Sequence, residues 1–478
     1  MKSSQPERIA IIGGGFSGVM VAVNLARLGR QPFEVVIINQ GRPMGRGVAY
    51  GTRRVEHLLN VAARNMSAFP DLPDHFLEWL RTRSEYDTVP EGELRERFIP
   101  RMIYGDYLRG LMHQHLQSPV GSVPVRTTFI DGEALEVQAK SGGAIVQLAD
   151  GGHVEAHRIV LATGNESPSG LPGAAELQDH PGWVGNPWQS WENRLPKSGG
   201  TILVLGTGLT TVDAVVSARA LGWQGVIHAV SRSGWLPQSH FRGIDYPGFP
   251  PPDVNLAELG LTKLLALLEQ HCARLRGLGA NPAIIVDKMR PHTQRIWQRF
   301  TREERLEFVR HHAARWNVLR HRIAPEIHAQ LATAQLTGQL QVHAAAIERV
   351  RADGRQVQVQ LGGGKTLNGD LVINATGPNT RFTATSSALL QNLLASGLIA
   401  PDDMEMGVRV DADHSVIDRD GQRSEILLAL GPLLRGTLWE TIAVPELRSQ
   451  ARRTAETILG HSATGMVAEP AAMMEFMI

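Results

Sequence analysis

The sequence predicts an α/β fold, because a strand-like run, a glycine-rich turn and a helix-like run follow one another twice along the chain. The first copy starts at Ile9 and the second at Thr201. Each copy is followed by a hairpin-like segment and then by a strand that ends in Ala-Thr-Gly. We therefore expect two Rossmann-like dinucleotide-binding domains, each with a β-meander, plus a helical insertion.

Length, charge and cysteine content exclude several classes of protein. A chain of 478 residues, 42% of them hydrophobic, suits two or three domains. A formal net charge of +1 gives no bulk attraction to nucleic acid or anionic membranes, and no apolar run reaches the ~20 residues of a membrane span. Cys272 is the only cysteine, which excludes an internal disulfide, a C-x-x-C pair and a cysteine-rich metal site. We expect a soluble cytoplasmic protein without nucleic acid, membrane or metal partners, whose redox chemistry needs a bound cofactor.

The first glycine loop has the spacing G-x-G-x-x-G between a strand and a helix. Gly13 permits the tight turn, Gly15 lets a pyrophosphate approach the backbone, and Gly18 lets the helix pack on the strand. Phe16 and Ser17 lie between them, at the helix N-terminus that would face the phosphates. This context predicts a dinucleotide site, and a glycine turn of some other α/β fold is the alternative.

A second strand, residues 33–38, ends where a contact to the ribose is expected. The usual acidic residue is absent there. Asn39 or Gln40 must hydrogen-bond the ribose instead, or the contact is lost.

The second glycine loop departs from this spacing at its last position. Gly206 and Gly208 make the turn, Leu209 and Thr210 open the helix, and Thr211 stands where the third glycine is expected. We therefore expect this helix to lie slightly further from its strand.

The strand after this loop, residues 226–230, ends in Ser231-Arg232-Ser233 and carries no acid for a ribose 2′-hydroxyl. An arginine between two hydroxyls suits a 2′-phosphate, which favours NADPH over NADH. The alternative is a solvated turn with an incidental arginine.

Two dinucleotide sites in one chain suit two different dinucleotides, a tightly held FAD and an NADPH that delivers a hydride. The first Ala-Thr-Gly strand adds Thr163 and Gly164 to the FAD site, and the second adds Thr376 and Gly377 to the NADPH site.

The same pattern divides the chain into three parts. Residues 1–195 form the first part of the FAD-binding domain, and 376–478 form its C-terminal part. Residues 196–375 form the NAD(P)H-binding domain, with a helical insertion at about 240–335. Alternating apolar residues and glycine turns at 123–160 and 341–370 predict the two β-meanders.

Five motifs resemble the bacterial FAD/NAD(P)-binding protein family of two-dinucleotide-binding-domain flavoproteins. They are GRGVAYGT (45–52), HLLNVAARNMSAFPD (57–71), FIPRMIYGDYL (98–108), RHRIAP (320–325) and ALGPLLRGTLWETIAVPELRSQA (429–451). The second and third are also similar to the flavin-facing segments of ornithine and lysine N-hydroxylases, which are class B flavoprotein monooxygenases.

This resemblance implies a role for Arg64, which falls where a basic residue of the N-hydroxylases holds the substrate carboxylate. Arginine can bind a carboxylate through two hydrogen bonds. Pairing of Arg64 with a carboxylate of the protein is the equal alternative. The second loop departs from the family's Gln-Ser-Ala, since residues 209–211 read Leu-Thr-Thr.

Further FAD contacts are expected on the segments that carry the resemblance. Residues 57–66 should run over the flavin ring, with Asn60 donating to a ring carbonyl and Met66 packing. Tyr50 would lie near the adenosine or the ring, or in the core. A helix opened by residues 440–445 and running to Leu459 would direct its N-terminal amides at the flavin pyrimidine, with a surface helix as the alternative. The other candidates are Gly47, Gly431, Thr441, Ile442 and Ala443.

The predicted insertion is rich in histidine and arginine. It contains Arg320, His321 and Arg322, which are candidates for binding the substrate. A solvated basic helix face is the first interpretation, and a lid over an anionic substrate or the nicotinamide phosphates is the second. No carboxylate stands at ligand spacing beside these histidines, so no metal site is expected.

Two enzyme functions and one binding function remain open. The first is an FAD-dependent, NADPH-using monooxygenase that inserts oxygen from O2 into a nucleophilic N or S of a small molecule (an amine, thioether or thiocarbonyl). Arg64 suggests that the molecule is anionic. The second is an NAD(P)H-dependent flavin dehydrogenase or reductase that passes electrons to an organic acceptor without oxygen insertion. The third is a nucleotide sensor without turnover. The catalytic acid or base is not identified by the sequence.

Overall fold

The computed structural model describes residues 6–41, 43–117, 125–197, 199–241 and 243–460. Its strands are β1 (Glu7–Ile12), β2 (Phe33–Asn39), β3 (Val125–Asp131), β4 (Ala134–Lys140), β5 (Gly143–Leu148), β6 (His153–Ala156), β7 (Arg158–Leu161), β8 (Trp183–Val184), β9 (Thr201–Leu205), β10 (Val226–Ser231), β11 (Leu340–Ala344), β12 (Ile347–Asp353), β13 (Gln356–Leu361), β14 (Thr366–Gly369), β15 (Leu371–Asn374), β16 (Ser415–Ile417) and β17 (Arg423–Ala429).

The α-helices are α1 (Phe16–Leu28), α2 (Gly47–Tyr50), α3 (His75–Arg81), α4 (Glu91–Glu96), α5 (Arg101–Met112), α6 (Leu209–Ala220), α7 (Gly260–Gly277), α8 (Ala283–Met289), α9 (Thr293–Arg299), α10 (Arg302–Glu307), α11 (Ala313–Arg320), α12 (Pro325–Leu336), α13 (Ala388–Ser396), α14 (Arg435–Leu438) and α15 (Val444–Ile458). Two π-helical turns, His113–Gln117 and Phe308–His312, extend α5 and precede α11. Within the described ranges, no helix is long and apolar enough to cross a membrane.

The first large sheet has the strand order β16–β17–β7–β1–β2–β3. Its strands are parallel except for β16, which pairs antiparallel to β17. The sequence stretches of β1, β2 and β7 are continuous apolar runs because parallel sheets are covered on both faces. Helices α1 and α15 pack against each other beside this sheet, so a late segment of the chain completes the first sheet.

The second large sheet has the order β11–β10–β9–β15–β8, and all its pairs are parallel. Helices α6 and α12 are in contact and share its apolar core. Strand β8 pairs with β15, so this sheet also takes residues from upstream of residue 196.

Each large sheet is accompanied by a small antiparallel sheet, β4–β5–β6 in the first half and β12–β13–β14 in the second. Helices α7–α11 form a further apolar core that includes Phe249, Trp297 and Trp439. The predicted fold class, two Rossmann-like units with β-meanders and a helical insertion, is therefore confirmed.

Candidate functional site

The two glycine loops are built in the same way. Gly13 has φ +115°, and a Cβ on it would lie 2.2 Å from the carbonyl oxygen of Ala162. Gly206 has φ +133°, and its Cβ would lie 2.1 Å from the carbonyl oxygen of Ala375. At each loop the first glycine thus passes directly over the alanine of an Ala-Thr-Gly segment. Only glycine has both the φ and the space for this crossing.

The third position of the two loops differs. A Cβ on Gly18 would lie 1.9 Å from the carbonyl oxygen of Gly13, so α1 approaches its strand as closely as a glycine allows. Thr211 occupies the matching position of the second loop, where it is buried and its backbone N–H donates to the Gly208 carbonyl oxygen at 3.0 Å.

The helix N-termini that follow both loops have the N–H groups and the open space that a pyrophosphate needs. Helices α1 and α6 begin after Gly15 and Gly208, and neither N-terminus has a side-chain hydrogen-bonded cap. Their first N–H groups are therefore available for an anion. A Cβ built on Gly164, Gly208 or Gly377 meets no atom within 4 Å, so the space in front of these residues is open.

The two residues at the end of β2, Asn39 and Gln40, form hydrogen bonds with residues that are distant in sequence. The Oδ1 atom of Asn39 accepts a hydrogen bond from the Gly14 N–H at 3.0 Å, so this side chain contacts the glycine loop. The Nε2 group of Gln40 donates to Oε2 of Glu133 at 3.0 Å. The structure thus brings an acid, Glu133, to the position where the sequence lacks one. The sequence carries no local signal for it, because Glu133 lies on the turn between β3 and β4.

The end of β10 leaves one arginine exposed. Ser231 is part of the loop itself, since its Oγ lies 2.8 Å from Oγ1 of Thr207 and accepts from the Gly234 N–H at 3.0 Å. The Ser233 Oγ accepts from the Trp235 N–H at 3.5 Å. Arg232 is exposed and has no ion pair within the described part of the chain. It is therefore available to an external anion.

Replacing Arg232 with alanine should reduce the preference for NADPH over NADH. A charged hydrogen bond to the 2′-phosphate contributes about 1.5–3 kcal/mol, so the ratio of the two kcat/KM values should fall by about tenfold or more. Steady-state kinetics with both coenzymes measures the ratio. Arg355→Ala, a change to another exposed arginine of the second unit, is the control. An unchanged ratio in Arg232→Ala would show that Ser231-Arg232-Ser233 is a solvated turn.

Helix α2 lies against the first glycine loop. The Cβ position of Gly15 is 3.6 Å from the Cα of Gly47, which has φ +55°. Tyr50 packs on Phe16 and Tyr104, with ring centroids 6.5 and 4.7 Å away. Burial raises the pKa of Tyr50, so its hydroxyl stays protonated. Tyr50 is half-buried and packs against the apolar core beside the loop.

Residues 57–66 connect the two units. Nδ1 and Nε2 of His57 lie 2.8 Å from the hydroxyls of Thr52 and Ser217 respectively. Arg101 donates to Oδ2 of Asp213 on α6 at 2.6 Å and to the Leu58 carbonyl oxygen at 2.9 Å. Sequence reasoning missed these residues because their partners come from opposite glycine-loop units.

The other predicted residues of this segment have different environments. The carbonyl oxygen of Asn60 lies 2.9 Å from Nε2 of His240, and Met66 is buried. Arg64 forms an ion pair with Glu96. Of the two alternatives for Arg64, the structure contains the pairing with a protein carboxylate.

His240 gives the protein a measurable pH dependence. Burial lowers the pKa of His240 from 6.5 to about 4, and its ring also packs against Phe98, with the centroids 4.9 Å apart. Between these two pH values the unfolded chain binds a proton that the folded chain does not. Stability contributed by the neutral ring is therefore complete above pH 6.5 and is lost as the pH falls towards 4, with a slope of about 1.4 kcal/mol per pH unit for one proton.

His240→Gln should flatten this dependence while keeping a polar side chain at the position. Chemical unfolding at several pH values from 4 to 7 measures the slope. His153→Gln, which changes an exposed histidine on β6, should leave it unchanged. Equal slopes for the wild type and His240→Gln would contradict the assignment to His240.

The C-terminal segment returns to the first loop. A Cβ on Gly431 would lie 3.4 Å from Oγ of Ser17, and the Gly431 N–H donates to Oε1 of Gln450 at 2.8 Å. The helix predicted to be opened by residues 440–445 begins at Val444, and its N-cap residue, Ala443, has an extended backbone with φ −92° and ψ 153°. Thr441 is buried, Ile442 is 43% exposed, and both precede α15 together with Ala443.

Arg320 and Arg322 do not lie on a solvated face, so that interpretation was wrong for these two residues. Arg320 and Arg322 are buried. Nη2 of Arg320 lies 3.6 Å from carboxylate oxygens of both Glu440 and Glu446, and Arg322 donates to both oxygens of Asp287 at 2.6 and 2.7 Å. Carboxylates distant in sequence neutralise these arginines, which a helical pattern alone does not reveal.

His321, between these two arginines, stays neutral. Burial, together with the charge of Arg320, lowers its pKa from 6.5 to about 3. Among the residues that the structure describes, no group of histidine, cysteine, aspartate or glutamate side chains could hold a metal.

For every site residue predicted from the sequence, contact with FAD, NADPH or substrate remains a prediction.

The fold and the two loops define a protein with two dinucleotide-binding folds in one chain. Residues 10–166 match the sequence family described as FAD-NAD(P)-binding. This match covers about a third of the chain and includes the first glycine loop. No curated protein sequence matches the chain significantly.

Solved structures of several enzymes are similar over nearly the whole chain. An ornithine N-hydroxylase from Kutzneria sp. 744 has a TM-score of 0.64 and 14% identity, covering 95% of this chain and 99% of that one. A cadaverine monooxygenase from Erwinia amylovora has a TM-score of 0.65 and 14% identity, covering 96% and 95%. A bacillithiol disulfide reductase from Staphylococcus aureus has a TM-score of 0.56 and 14% identity, covering 96% and 100%. At this level of identity, these similarities show a shared fold.

Proposed function

We propose that the protein is an FAD-dependent, NADPH-using monooxygenase that acts on a nucleophilic N or S of a small anionic molecule. The observation that carries this proposal is the pair of equivalent glycine loops, at Gly13 and Gly206, in one chain. Two such loops allow one dinucleotide to stay bound while a second delivers a hydride to it. The similar folds of an ornithine N-hydroxylase and a cadaverine monooxygenase support the choice of oxygen insertion.

The chain's own residues would bind and orient both dinucleotides. FAD, when bound, supplies hydride acceptance and the reaction with O2. The free N–H groups at the start of α1 and α6 would hold the two pyrophosphates, and Arg232 would hold the 2′-phosphate. The first turn of α15, which begins at Val444 beside Ile442, would place N–H dipoles near negative charge on the reduced ring.

An NAD(P)H-dependent reductase is the second candidate, because a bacillithiol disulfide reductase shares the fold. This chain cannot reduce a disulfide through a cysteine pair of its own, since Cys272 is its only cysteine. Burial also raises the pKa of that thiol, which lowers its reactivity. The reductase candidate is therefore one that passes electrons to an organic acceptor without oxygen insertion.

Rapid mixing separates the two candidates. The FAD-loaded protein is reduced anaerobically with NADPH and mixed with oxygenated buffer while the flavin spectrum is followed. A transient species that is neither reduced nor oxidised flavin supports the monooxygenase. Direct return to oxidised flavin, both alone and with a panel of small anionic amines and sulfur compounds, supports the reductase. Absence of reduction by either nicotinamide would exclude both.

A further inference from the structure

Arg435 lies within the segment 429–451, four residues after Gly431. It begins α14, directly after the 3-10 turn Gly431–Leu434. Gly431 is the residue whose Cβ position is 3.4 Å from Oγ of Ser17, at the start of α1. Arg435 therefore follows, by one turn, a glycine that lies beside Ser17, in the first turn of the helix predicted to face FAD.

The ion pairs around Arg435 leave it without a carboxylate. Arg290 donates to Glu446 at 2.9 Å, and Arg320 lies 3.6 Å from both Glu446 and Glu440. Among the described residues, three arginines (Arg290, Arg320 and Arg435) thus face two carboxylates, Glu440 and Glu446. Arg435 is half-buried and forms no hydrogen bond or ion pair with any residue that the structure describes.

The oxygens of Glu440 are occupied on both sides. Oε1 accepts a hydrogen bond from Nε1 of Trp316 at 3.1 Å, while Oε2 faces Arg320. Glu440 lowers the cost of burying Arg435 by its charge, but burial still lowers the pKa of the guanidinium. A half-buried arginine in this state gains most from an incoming anion, since the anion would provide both the missing hydrogen bonds and the missing charge.

A strained turn fixes the position of Arg435. Trp439 has φ +63° and ψ −64°, and the Glu440 N–H donates to the Leu438 carbonyl oxygen at 2.8 Å. This is a γ-turn of the rare positive-φ type, which persists only where the surroundings enforce it. Its tryptophan ring packs on Trp297, 4.8 Å away between centroids, and the Cζ of Arg435 lies 5.4 Å from its centroid.

The insertion therefore holds Trp439, and Trp439 in turn supports the guanidinium of Arg435. Phe308 completes the aromatic contact, with its ring centroid 5.2 Å from that of Trp439. Strain of this kind is common at ligand-binding sites, where it orients a group before the ligand arrives. The structure thus contains an oriented cation that has no ion pair with the described residues, one turn after a glycine that lies beside Ser17.

We propose that Arg435 binds the anionic group of the substrate, and that this group is a carboxylate. The proposal rests on the proposed function and makes it more specific, because it moves the anion-binding role from Arg64, which is paired with Glu96, to Arg435. Neutral His321 lies near enough to Arg435 for the arginine's charge to lower its pKa, so the carboxylate would meet one strong cation and an uncharged imidazole.

Calorimetric titration of the FAD-loaded protein tests the proposal without requiring turnover. The probe is (methylthio)acetate, and its neutral counterpart is 2-(methylthio)acetamide. We expect the wild type to bind the carboxylate more tightly than the amide. Arg435→Gln should raise the dissociation constant for the carboxylate by about tenfold or more and leave that for the amide unchanged. Arg435→Lys, which keeps the charge but not the planar geometry, should be intermediate.

Arg409→Gln, which changes an exposed arginine paired with Asp403, is the matched control. FAD content and the unfolding midpoint show whether each variant is folded, and Arg435→Lys provides the comparison if Arg435→Gln does not fold. Equal binding of the carboxylate by the wild type and the Arg435 variants would overturn the proposal, as would a wild type that does not prefer carboxylate to amide. Carboxylate binding through Arg435 in a protein that fails the rapid-mixing test would instead leave this inference standing and reject the monooxygenase function.

Discussion

Gly13→Ala should yield a protein that purifies without FAD and unfolds at lower denaturant concentration than the wild type. The new Cβ would lie 2.2 Å from the Ala162 carbonyl oxygen, and the residue would have to keep φ +115°. The backbone strain costs about 1–2 kcal/mol, and the steric overlap adds about 1–3 kcal/mol. Displacement of the loop from Ala162 would also move the N–H groups at the start of α1 away from the pyrophosphate. Flavin absorbance per polypeptide and urea unfolding measure the two effects.

Gly151→Ala is the control for the free-energy cost of placing alanine at a positive φ. Gly151 has φ +85° in the turn between β5 and β6, and a Cβ there meets no atom within 4 Å. That variant should lose only about 1 kcal/mol and keep its FAD. A Gly13→Ala protein with a full complement of FAD would contradict the assignment of this loop to FAD.

Gly206→Ala tests whether the second loop binds NADPH independently of FAD binding at the first. Its Cβ would lie 2.1 Å from the Ala375 carbonyl oxygen, so the clash is equivalent to that at Gly13. We expect this variant to retain FAD but to lose reduction by NADPH, whereas dithionite still reduces the flavin. If Gly206→Ala instead lost FAD and Gly13→Ala kept it, the assignment of the two sites would be reversed.

Arg320→Met should be the most destabilising of the side-chain substitutions considered for this protein. Arg320 is buried between Glu440 and Glu446, with exposed fractions of 8%, 6% and 13% for the three side chains. Removing one partner from a buried ion pair costs about 3–5 kcal/mol, because the other charge stays buried without compensation. We expect a loss of this size in the free energy of unfolding, measured by urea denaturation at pH 7.

The double variant Arg320→Met with Glu440→Gln distinguishes uncompensated charge from lost packing. The glutamine keeps an oxygen for Nε1 of Trp316 but removes the charge, so it should recover part of the lost stability. Arg276→Gln, which breaks an exposed pair with Glu269, should change stability by less than about 1 kcal/mol. An Arg320→Met protein as stable as this control would contradict the proposed role of the cluster.

The residues around the first glycine loop show which features can be predicted from neighbouring positions in the sequence. Gly13, Gly15 and Gly18 are readable from the sequence because a tight turn and a close helix–strand approach restrict those positions to glycine within six residues. Glu133 beside Gln40 was not readable, because 93 residues separate the two and a single carboxylate on a turn has no pattern.

The arginines show the same limit for ion pairs: the sequence identifies the charged residue but not its partner. Arg64, Arg320 and Arg322 were identified as candidates from their residue type and their motifs, but the partner of each comes from another segment. Arg435 lies in the motif 429–451, but nothing in the sequence distinguishes it, because only the structure pairs Glu440 and Glu446 with other arginines among the described residues. Pairing depends on distance in space, and a sequence does not contain it.

The sequence by itself determined the α/β class, the two glycine loops with their Ala-Thr-Gly strands, and the presence of a helical insertion. These features depend on short-range steric rules and on the periodicity of apolar residues, which neighbouring positions encode. The tertiary structure decided where the charges are neutralised, that α15 begins at Val444 after the strained turn at Trp439, and which cation remains available. Those outcomes depend on contacts between segments far apart in the chain, whose free energy arises only when the segments are packed together.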